Sequence, residues 1–529
     1  MKRRILICIS VIVLVYTGIA KSNVIAEENV TIDTKEKETT VYNLNNLDDD
    51  SVNQMIQNLM EKSGFPGVSV AVTNGVETKY YTYGYSDISD EKLVTENTLF
   101  QLGSLTESFT ATAVMLLVNE GKISLDDDVS KYIPWFMMKH NGTVQKITIR
   151  NLLYHMSGIT SLTSFNIPEG IGDTMLEKTV RMVADTGLDN IPGQVKRILS
   201  VDYDVLALTI KYVTGENYDE YISKNILQTL SMSNTFFDTD KANTTGNMAS
   251  GYKREFGHMI KYISPRYDGD IAANYMITSA TDIGKWLGAQ LLNSDNEELN
   301  NAIKNTHEIG EFTRERICDI DQYTKTNSNE RNYYYYANGW GITEDGMLLT
   351  YNGYTPCYSS VNKILYNNNV AISVLCNTNG LAADRILKNI TNMVSNRGSI
   401  LNYQKGTNIQ LDDRMSITAA AILALLALSI MRLIYIIVRH KSKPSMSIFL
   451  KTLVCVFLVA FLCAWPTLMG YSFKLIYIWY SPAILVANFS AVLTISIYYV
   501  SILIKKYRKV NLVAKKYEKS STKIYKRKI

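Results

Sequence analysis

The sequence predicts an α+β domain, in which helices and a helical lobe flank an antiparallel sheet, followed by three transmembrane helices. Strand-like segments occur near both ends of residues 51–400, and helical sequence lies between them. Three long apolar stretches follow within residues 415–504. The chain has 529 residues, of which 46% are hydrophobic, and this is enough for a large globular domain and additional segments.

The N-terminus has the parts of a secretory signal. A basic start precedes an apolar run from Ile5 to Ala20, and small residues follow. We expect residues 1–26 to be a signal peptide that is cleaved after Ala20 or Ala26, and a retained N-terminal anchor is the alternative. Under either hypothesis the chain that follows is exported. The polar residues 27–50 lack a hydrophobic period and are expected to form a linker.

Hydrophobic periodicity predicts the elements of the exported domain. Residues 51–64 carry apolar side chains on one helical face. Residues 66–87 alternate apolar and polar positions around Asn74-Gly75, which predicts a hairpin with a type I′ turn. Residues 359–380 predict a second strand pair, and a helix over 382–397 follows. Strand pairs from both ends of the domain therefore build one antiparallel sheet, with the helical middle packed against it or in a second lobe.

The C-terminal apolar stretches and their charged flanks predict a membrane topology. Each stretch is about 20 residues long, the length that crosses a bilayer. Basic residues fill the first short loop and the tail, which places the tail in the cytoplasm and the residues before 415 outside. The expected segments are a linker at 401–414, spans at 416–438, 449–470 and 479–504, and a basic tail at 505–529.

The net charge of +4 is unevenly distributed along the chain. Residues 1–26 carry +4 and residues 415–529 carry +16, so residues 27–414 carry −16. An acidic exported domain argues against nucleic acid and against anionic polymers as partners. The basic tail is expected to lie at the anionic inner leaflet of the membrane.

Metal and cofactor sites are not expected. The exported part contains three cysteines, Cys318, Cys357 and Cys376, an odd number without metal-ligand spacing. One disulfide among them is compatible with the sequence, whereas a disulfide framework is not. The chain has five histidines and lacks an H-E-x-x-H motif. The acidic run Asp126–Asp128 is expected to be a solvated turn, with metal binding as the less favoured alternative.

Five segments, in order, resemble one family: the serine β-lactamases, penicillin-binding proteins, related esterases and D-amino peptidases. FQLGSLTESFTATAVMLLVNEGKISLDDDVSKYIP resembles the family's nucleophile helix, which opens with G-S-x-x-K. The segments are residues 100–134, 147–159, 191–222, 273–287 and 337–360. The resemblance covers about residues 50–400 and implies the β-lactamase/transpeptidase fold. Three spans after such a domain also resemble the layout of membrane-bound prodrug-activating peptidases.

The resemblance assigns each catalytic role of the family to a position in this sequence. The nucleophile position holds Ser104, and the lysine one turn later is replaced by Glu107. The tyrosine and asparagine of the family's Tyr-x-Asn motif fall on Ile198 and Ser200. The Lys or His of the last motif falls on Tyr351. Of these side chains only the serine survives, which implies that acyl transfer has been lost or rebuilt.

Three further positions bear on the same pocket. A glycine pair of the family is replaced by Asn274-Tyr275, and a later glycine by Cys357. His155 could serve as a base, but a histidine at this position of the family is commonly structural. The tyrosines at 333–336 are expected to approach or form a half-exposed strand and not a binding cage.

Glu107 admits two interpretations. As a base it would replace the lysine, although a carboxylate with a pKa of ~4.3 is weakly basic and its charge opposes an oxyanion. Alternatively, Ser104 and Glu107 form a capping box that starts a helix without chemistry.

The sequence leaves three functions open. The first is a degenerate homologue that binds or senses a peptide, a peptidoglycan stem or a β-lactam-like antibiotic, or confers immunity to it. The second is a working serine D-amino peptidase, carboxypeptidase or esterase with rearranged residues. The third is a component of a membrane complex in which the exported domain is a scaffold.

Overall fold

The computed structural model describes residues 43–308, 334–343, 348–396, 407–438, 448–468 and 471–525. The expected signal peptide and Cys318 lie outside the described residues. The chain divides into two compact units. One comprises Ser22–Lys253 with Met259–Ile409, and the other comprises Arg254–His258 with Gln410–Ile529.

The first unit is built on an eight-stranded antiparallel sheet, as the periodicity predicts. The strands of the sheet are β1 (Gly67–Thr73), β2 (Thr78–Asp87), β3 (Lys92–Leu93), β10 (Tyr334–Ala337), β11 (Trp340–Thr343), β12 (Leu348–Thr355), β13 (Tyr358–Leu365) and β14 (Val370–Cys376). Across the sheet they lie in the order β10-β11-β12-β13-β14-β1-β2-β3, so strands from both ends of the domain meet at its centre. Two-residue to four-residue strands outside it are β4 (Leu99–Gln101), β5 (Lys139–His140), β6 (Thr143–Val144), β7 (Tyr252–Glu255), β8 (His258–Lys261) and β9 (Ile277–Ser279).

Helices cover both faces of this sheet. The helices of the unit are α1 (Asp49–Ser63), α2 (Thr106–Asn119), α3 (Ile149–Leu153), α4 (Met175–Ala184), α5 (Ser200–Thr214), α6 (Tyr218–Ile222), α7 (Thr239–Thr244), α8 (Ala280–Gln290), α9 (Glu297–Thr306) and α10 (Ala382–Val394). Helices α1 and α10 pack on one face, in a core with side chains of β1, β13 and β14. The larger core on the other face contains α2, α5 and α8, which form the helical part. The α+β fold class is confirmed.

Two local expectations need correction. The expected linker 27–50 is partly ordered, because α1 begins at Asp49, where Asp48 caps it by accepting from the backbone N–H of Ser51. The hairpin between β1 and β2 is confirmed, but its turn spans four residues and is not the two-residue type I′ turn. Asn74 closes it by accepting from the backbone N–H groups of Val76 and Glu77.

A short 3₁₀ turn, Gly103–Leu105, leads into α2 and packs directly on β12. Gly103 has a φ of +58°, a left-handed conformation that glycine adopts without strain. A Cβ added to Gly353 of β12 would lie 1.9 Å from the carbonyl oxygen of Leu102 and 2.9 Å from the nitrogen of Ser104. The absence of a side chain at Gly353 therefore lets the turn with Ser104 lie against the sheet.

Among the described residues of the second unit, three helices are long and apolar enough to cross a membrane. Its helices are α11 (Thr407–Val438), α12 (Ile448–Leu468), α13 (Phe473–Trp479) and α14 (Ala483–Tyr525). The number of spans agrees with the sequence, but their ends differ. Helix α11 already begins within the expected linker 401–414, and the third span begins at Ala483 directly after Pro482, since proline favours the first turn of a helix.

A polar residue inside the third span has partners within the unit. Asn488 is buried, accepts a hydrogen bond from the indole nitrogen of Trp465 at 3.0 Å, and donates to the carbonyl oxygen of Leu462. Polar side chains in a membrane helix favour such contacts because hydrocarbon offers none. These bonds join α12 to α14.

We predict that Gly353→Ala lowers the free energy of unfolding by about 1–3 kcal/mol, because the new methyl group overpacks the contact with Leu102. The matched control is Gly288→Ala in α8, where the added Cβ meets its first neighbour at 3.7 Å. Thermal unfolding of the purified chain in detergent, followed by tryptophan fluorescence, compares the two variants. Equal melting temperatures for Gly353→Ala and the native chain would contradict the contact.

Candidate functional site

Ser104 lies in the 3₁₀ turn before α2, and its side chain is half-buried. Its hydroxyl donates to Oδ1 of Asn274 at 3.0 Å. The capping-box hypothesis is wrong: α2 begins at Thr106, its N-cap residue is Leu105, and no side chain caps it. The 3₁₀ turn continues directly into the helix, so Ser104 is too early in the chain to cap the first α-helical turn.

Asn274 links Ser104 to a pair of buried carboxyl groups. Its Nδ2 donates to Oδ2 of Asp270 at 2.8 Å. Asp270 lies beside Asp204 of α5 and close enough to Ser200 for that hydroxyl to lower its pKa. Ser104, Asn274, Asp270 and Asp204, with Ser200 beside Asp270, form a group that we call the serine chain.

The two carboxyl groups of the serine chain share protons. Both are buried, and among the described residues no donor hydrogen-bonds to either oxygen of Asp204. Burial raises the pKa of Asp270 to about 7, against hydrogen bonds from Asn274, Asp204 and Ser200 that lower it. Burial and the charge of Asp270 raise the pKa of Asp204 well above its ordinary value. Burial therefore favours the protonated form of both carboxyl groups.

Glu107 makes its hydrogen bonds in a second cluster. Its carboxyl group is 1% exposed, and Oε2 accepts from the phenols of Tyr336 at 2.9 Å and Tyr351 at 2.7 Å. The Tyr336 phenol also lies 2.9 Å from the Tyr203 hydroxyl. Burial, followed by the charge of Glu107, raises the pKa of each of these phenols well above its ordinary value. We call Glu107 and these three phenols the carboxylate cluster.

His155 joins the carboxylate cluster to a further buried acid. Its Nδ1 lies 3.0 Å from Oδ2 of Asp202, and its Nε2 lies 3.4 Å from Oε2 of Glu107. Burial disfavours a charged imidazole, but the two carboxylates outweigh it and raise the pKa of His155. His155 holds the two acids together.

A lysine that the motif comparison passed over lies on this cluster. The Lys196 ammonium is 4.4 Å from the centroid of the Tyr336 ring, a cation–π distance. A backbone hydrogen bond holds the loop that carries Lys196: the N–H of Arg197 donates to the carbonyl oxygen of His155 at 2.8 Å. Two residues further on, the Ile198 side chain is 51% exposed.

The five site positions taken from the sequence thus occupy three environments. Ser104 and Ser200 belong to the serine chain, whereas Glu107 and Tyr351 belong to the carboxylate cluster. Ile198 offers no group that could transfer a proton. The side chains that the motif comparison missed are Tyr203, Asp204, Asp270, Tyr336 and Lys196. The replacement of the family's glycine pair at Asn274 was the one sequence signal that pointed to the serine chain.

Neither cluster provides Ser104 with a positioned base. The hydroxyl proton points at an amide oxygen, which is a hydrogen-bond acceptor but far too weakly basic to remove it. The Glu107 oxygen that would act as a base already accepts two phenolic hydrogen bonds. In this arrangement the proton of the Ser104 hydroxyl is held by an amide oxygen.

The cysteines and the acidic run do not contribute to either cluster. Cys357 and Cys376 are buried free thiols, and burial raises the pKa of Cys357 to about 12. A disulfide between them is therefore absent from the described residues. Asp126 binds Arg150 and Asp127 binds Lys131 in the expected turn.

Comparison with known proteins gives one consistent family. The family described as "Beta-lactamase" matches residues 52–393. Protein flp of Staphylococcus aureus (strain N315) is 28% identical over 370 residues, which cover 68% of this chain and 71% of flp. The candidate penicillin-binding protein PbpX of Bacillus subtilis (strain 168) is 32% identical over 235 residues, 44% of this chain and 57% of PbpX.

A solved structure supports the fold. The octameric penicillin-binding protein homologue from Pyrococcus abyssi superposes with a TM-score of 0.56 and 23% identity. The match covers 66% of this chain and 78% of that chain. The likeness concerns the antiparallel sheet and its flanking helices.

We predict that Glu107→Ala lowers the free energy of unfolding by about 3 kcal/mol, since it leaves two buried phenols without their acceptor and removes the carboxylate 3.4 Å from Nε2 of His155. Glu107→Gln keeps the shape and one acceptor oxygen, so its loss should be smaller. The exposed Glu120→Ala, just beyond α2, is the control and should stay within about 0.5 kcal/mol. Denaturant unfolding in detergent measures all three, and an unaffected Glu107→Ala variant would argue against the cluster.

The carboxyl pair predicts a pH dependence of stability. The folded pKa of Asp270, about 7, lies above its ordinary value of 3.8, so the folded chain binds the extra proton. Its stabilising effect is complete below about pH 4 and is lost as the pH rises through about 7. We expect Asp270→Asn to flatten the fall in melting temperature between about pH 5 and 8. A variant with the same slope as the native chain would contradict the buried proton.

Proposed function

Because the chain belongs to the beta-lactamase family, we propose that it is a membrane-anchored, extracytoplasmic binding protein that has lost acyl transfer. Its ligand would be a peptide, a peptidoglycan stem or a β-lactam-like molecule, the classes that the resemblance implies. In this proposal the pocket around Ser104 retains its shape and hydrogen-bonding groups, while the groups that move protons have been replaced.

The observation that carries the proposal is the hydrogen bond from Ser104 to Oδ1 of Asn274. An acyl-transfer nucleophile needs an adjacent group that accepts its proton. An amide oxygen does not take that proton at neutral pH, and Asn274 is held in this orientation by Asp270. Ser104 is therefore positioned as a hydrogen-bonding side chain.

Glu107 supports the same proposal through its charge. A carboxylate at the family's lysine position places negative charge beside the carbonyl oxygen that becomes an oxyanion during acyl transfer. Three proton donors already surround it: Tyr336, Tyr351 and His155. The cluster is thus suited to hold a structure together and is poorly suited to cycle protons.

The proposed location rests on the membrane helices and on charge. Three helices of the C-terminal unit are long and apolar enough to cross a membrane. The basic loop and tail favour a cytoplasmic C-terminus, and an odd number of spans then leaves the pocket-bearing domain outside. This topology matches the export signal expected at residues 1–26.

A second candidate function, an active serine peptidase or esterase with a rearranged site, is favoured by Lys196. Its ammonium lies over Tyr336, in the cluster that occupies the family's lysine position. If this lysine reached Ser104 as a neutral amine, it could accept the hydroxyl proton.

Covalent labelling separates the two functions. We predict that the full-length chain in detergent binds a fluorescent penicillin reversibly, as followed by fluorescence polarisation, and retains no label after denaturation. A fluorophosphonate probe should likewise label it no more than the Ser104→Ala variant. The physical reason is that Ser104 lacks a positioned base.

Two variants sharpen the labelling test. Label that survives denaturation in the native chain and is lost in Ser104→Ala would overturn the binding proposal. Its further loss in Lys196→Gln, with retention in the exposed control Lys224→Gln, would establish the rearranged hydrolase.

A further inference from the structure

The serine chain ends in an arrangement that the proposed binding role does not require. Asp204 and Asp270 are buried side by side, and their contact has no cation among the residues that the structure describes. One oxygen of Asp270 and both of Asp204 lack hydrogen-bond donors among those residues. Two carboxylates in such surroundings cannot both be ionised, so at least one proton lies between them.

We propose that Asn274 is the positioning residue of the Ser104 hydroxyl, and that protonation of the Asp204–Asp270 pair reverses the orientation of its amide. With one proton on the pair, Asp270 accepts from Nδ2 of Asn274, and Oδ1 of Asn274 accepts from Ser104. A second proton, bound at Oδ2 of Asp270, makes that oxygen a donor. The side-chain amide of Asn274 then rotates by about 180° about its last single bond, so that Oδ1 accepts from Asp270 and Nδ2 donates to Ser104.

The reversal changes what Ser104 offers to a ligand. In the first state its hydroxyl proton is committed to Asn274. In the second state its oxygen accepts from Asn274, and its proton is available to a carbonyl or carboxylate in the pocket. One proton from solvent binds to Asp270, and no covalent bond of the chain breaks. For its effect on a ligand the inference rests on the proposed binding function.

The groups around Asp204 and Asp270 determine the pH range in which the pair binds its second proton. The neighbouring ionisable groups are Glu107 of α2, Asp202 of α5, Tyr218 of α6, and Tyr275. Glu107 and Asp202 are acidic and favour the added proton. Arg266, which precedes Asp270 by four residues in the sequence, forms ion pairs with Asp238, Asp240 and Asp268. From α5, Ser200 opposes the added proton because its hydroxyl donates to the ionised carboxylate.

The test is a linkage measurement that needs no ligand. The full-length chain in detergent is titrated while its protonated carboxyl groups are followed by infrared difference spectroscopy. The native chain should show a carboxyl band that titrates near pH 7 and is absent in Asp270→Asn. Ser200→Ala removes a donor to the ionised state and should raise the midpoint.

Ser104 supplies the readout that a purely structural pair would not give. Coupling between sites is reciprocal, and Ser104→Ala removes a hydrogen bond that the hydroxyl donates in the first state and accepts in the second. Because the donated O–H···O bond is the shorter of the two kinds, its loss should raise the midpoint by roughly 0.5 pH unit, about a threefold change in proton affinity. In an Asn274→Ala background the same substitution should have no effect, because the connecting amide is gone.

Each outcome decides the inference. An unchanged midpoint in Ser104→Ala, or an equal shift in both backgrounds, would overturn it, as would a band that survives in Asp270→Asn. These results do not depend on labelling, so an active serine in the penicillin assay would refute the binding proposal and leave the titration to be judged separately.

Discussion

A carboxylate removed from water must be surrounded by hydrogen-bond donors, and this requirement at Glu107 organises one side of the pocket. Two phenols donate to one oxygen of Glu107, and His155 approaches the same oxygen while it also binds a second buried acid. The donors come from β10, β12 and the segment after α3, so the charge links strands to helices across the core. Tyr351 therefore has a structural partner at a position where the family places a cation.

The other side of the pocket follows from a different substitution. Asn274 occupies a place where the family has glycine, and its amide reaches Ser104 in one direction and Asp270 in the other. The serine and the carboxylate, one helical turn apart in sequence, consequently belong to separate hydrogen-bond networks.

The sequence predicted the fold because strand and helix periods are local, and both ends of the sheet show them clearly. Its motifs singled out Ser104, Glu107 and Tyr351, which make their hydrogen bonds in two separate networks. It could not predict the partners of Ser104, since Asn274 is 170 residues away and only folding brings the two together. The capping hypothesis failed for a local reason: the 3₁₀ turn displaces the helix start by one residue, an offset that S-x-x-E does not encode.

A single substitution at position 107 would not give Ser104 a proton acceptor, because Ser104 and Glu107 belong to separate hydrogen-bond networks. A lysine at position 107 would meet Tyr336 and Tyr351 phenols that have lost their acceptor, and it would leave His155 with Asp202 as its remaining carboxylate partner. Ser104 would still donate to Asn274, because that bond belongs to the other network. Restoring a proton path to the serine therefore requires changes in both networks. Ser104 and Glu107 are thus held among two separate sets of buried acids, Asp204 with Asp270 and Glu107 with Asp202.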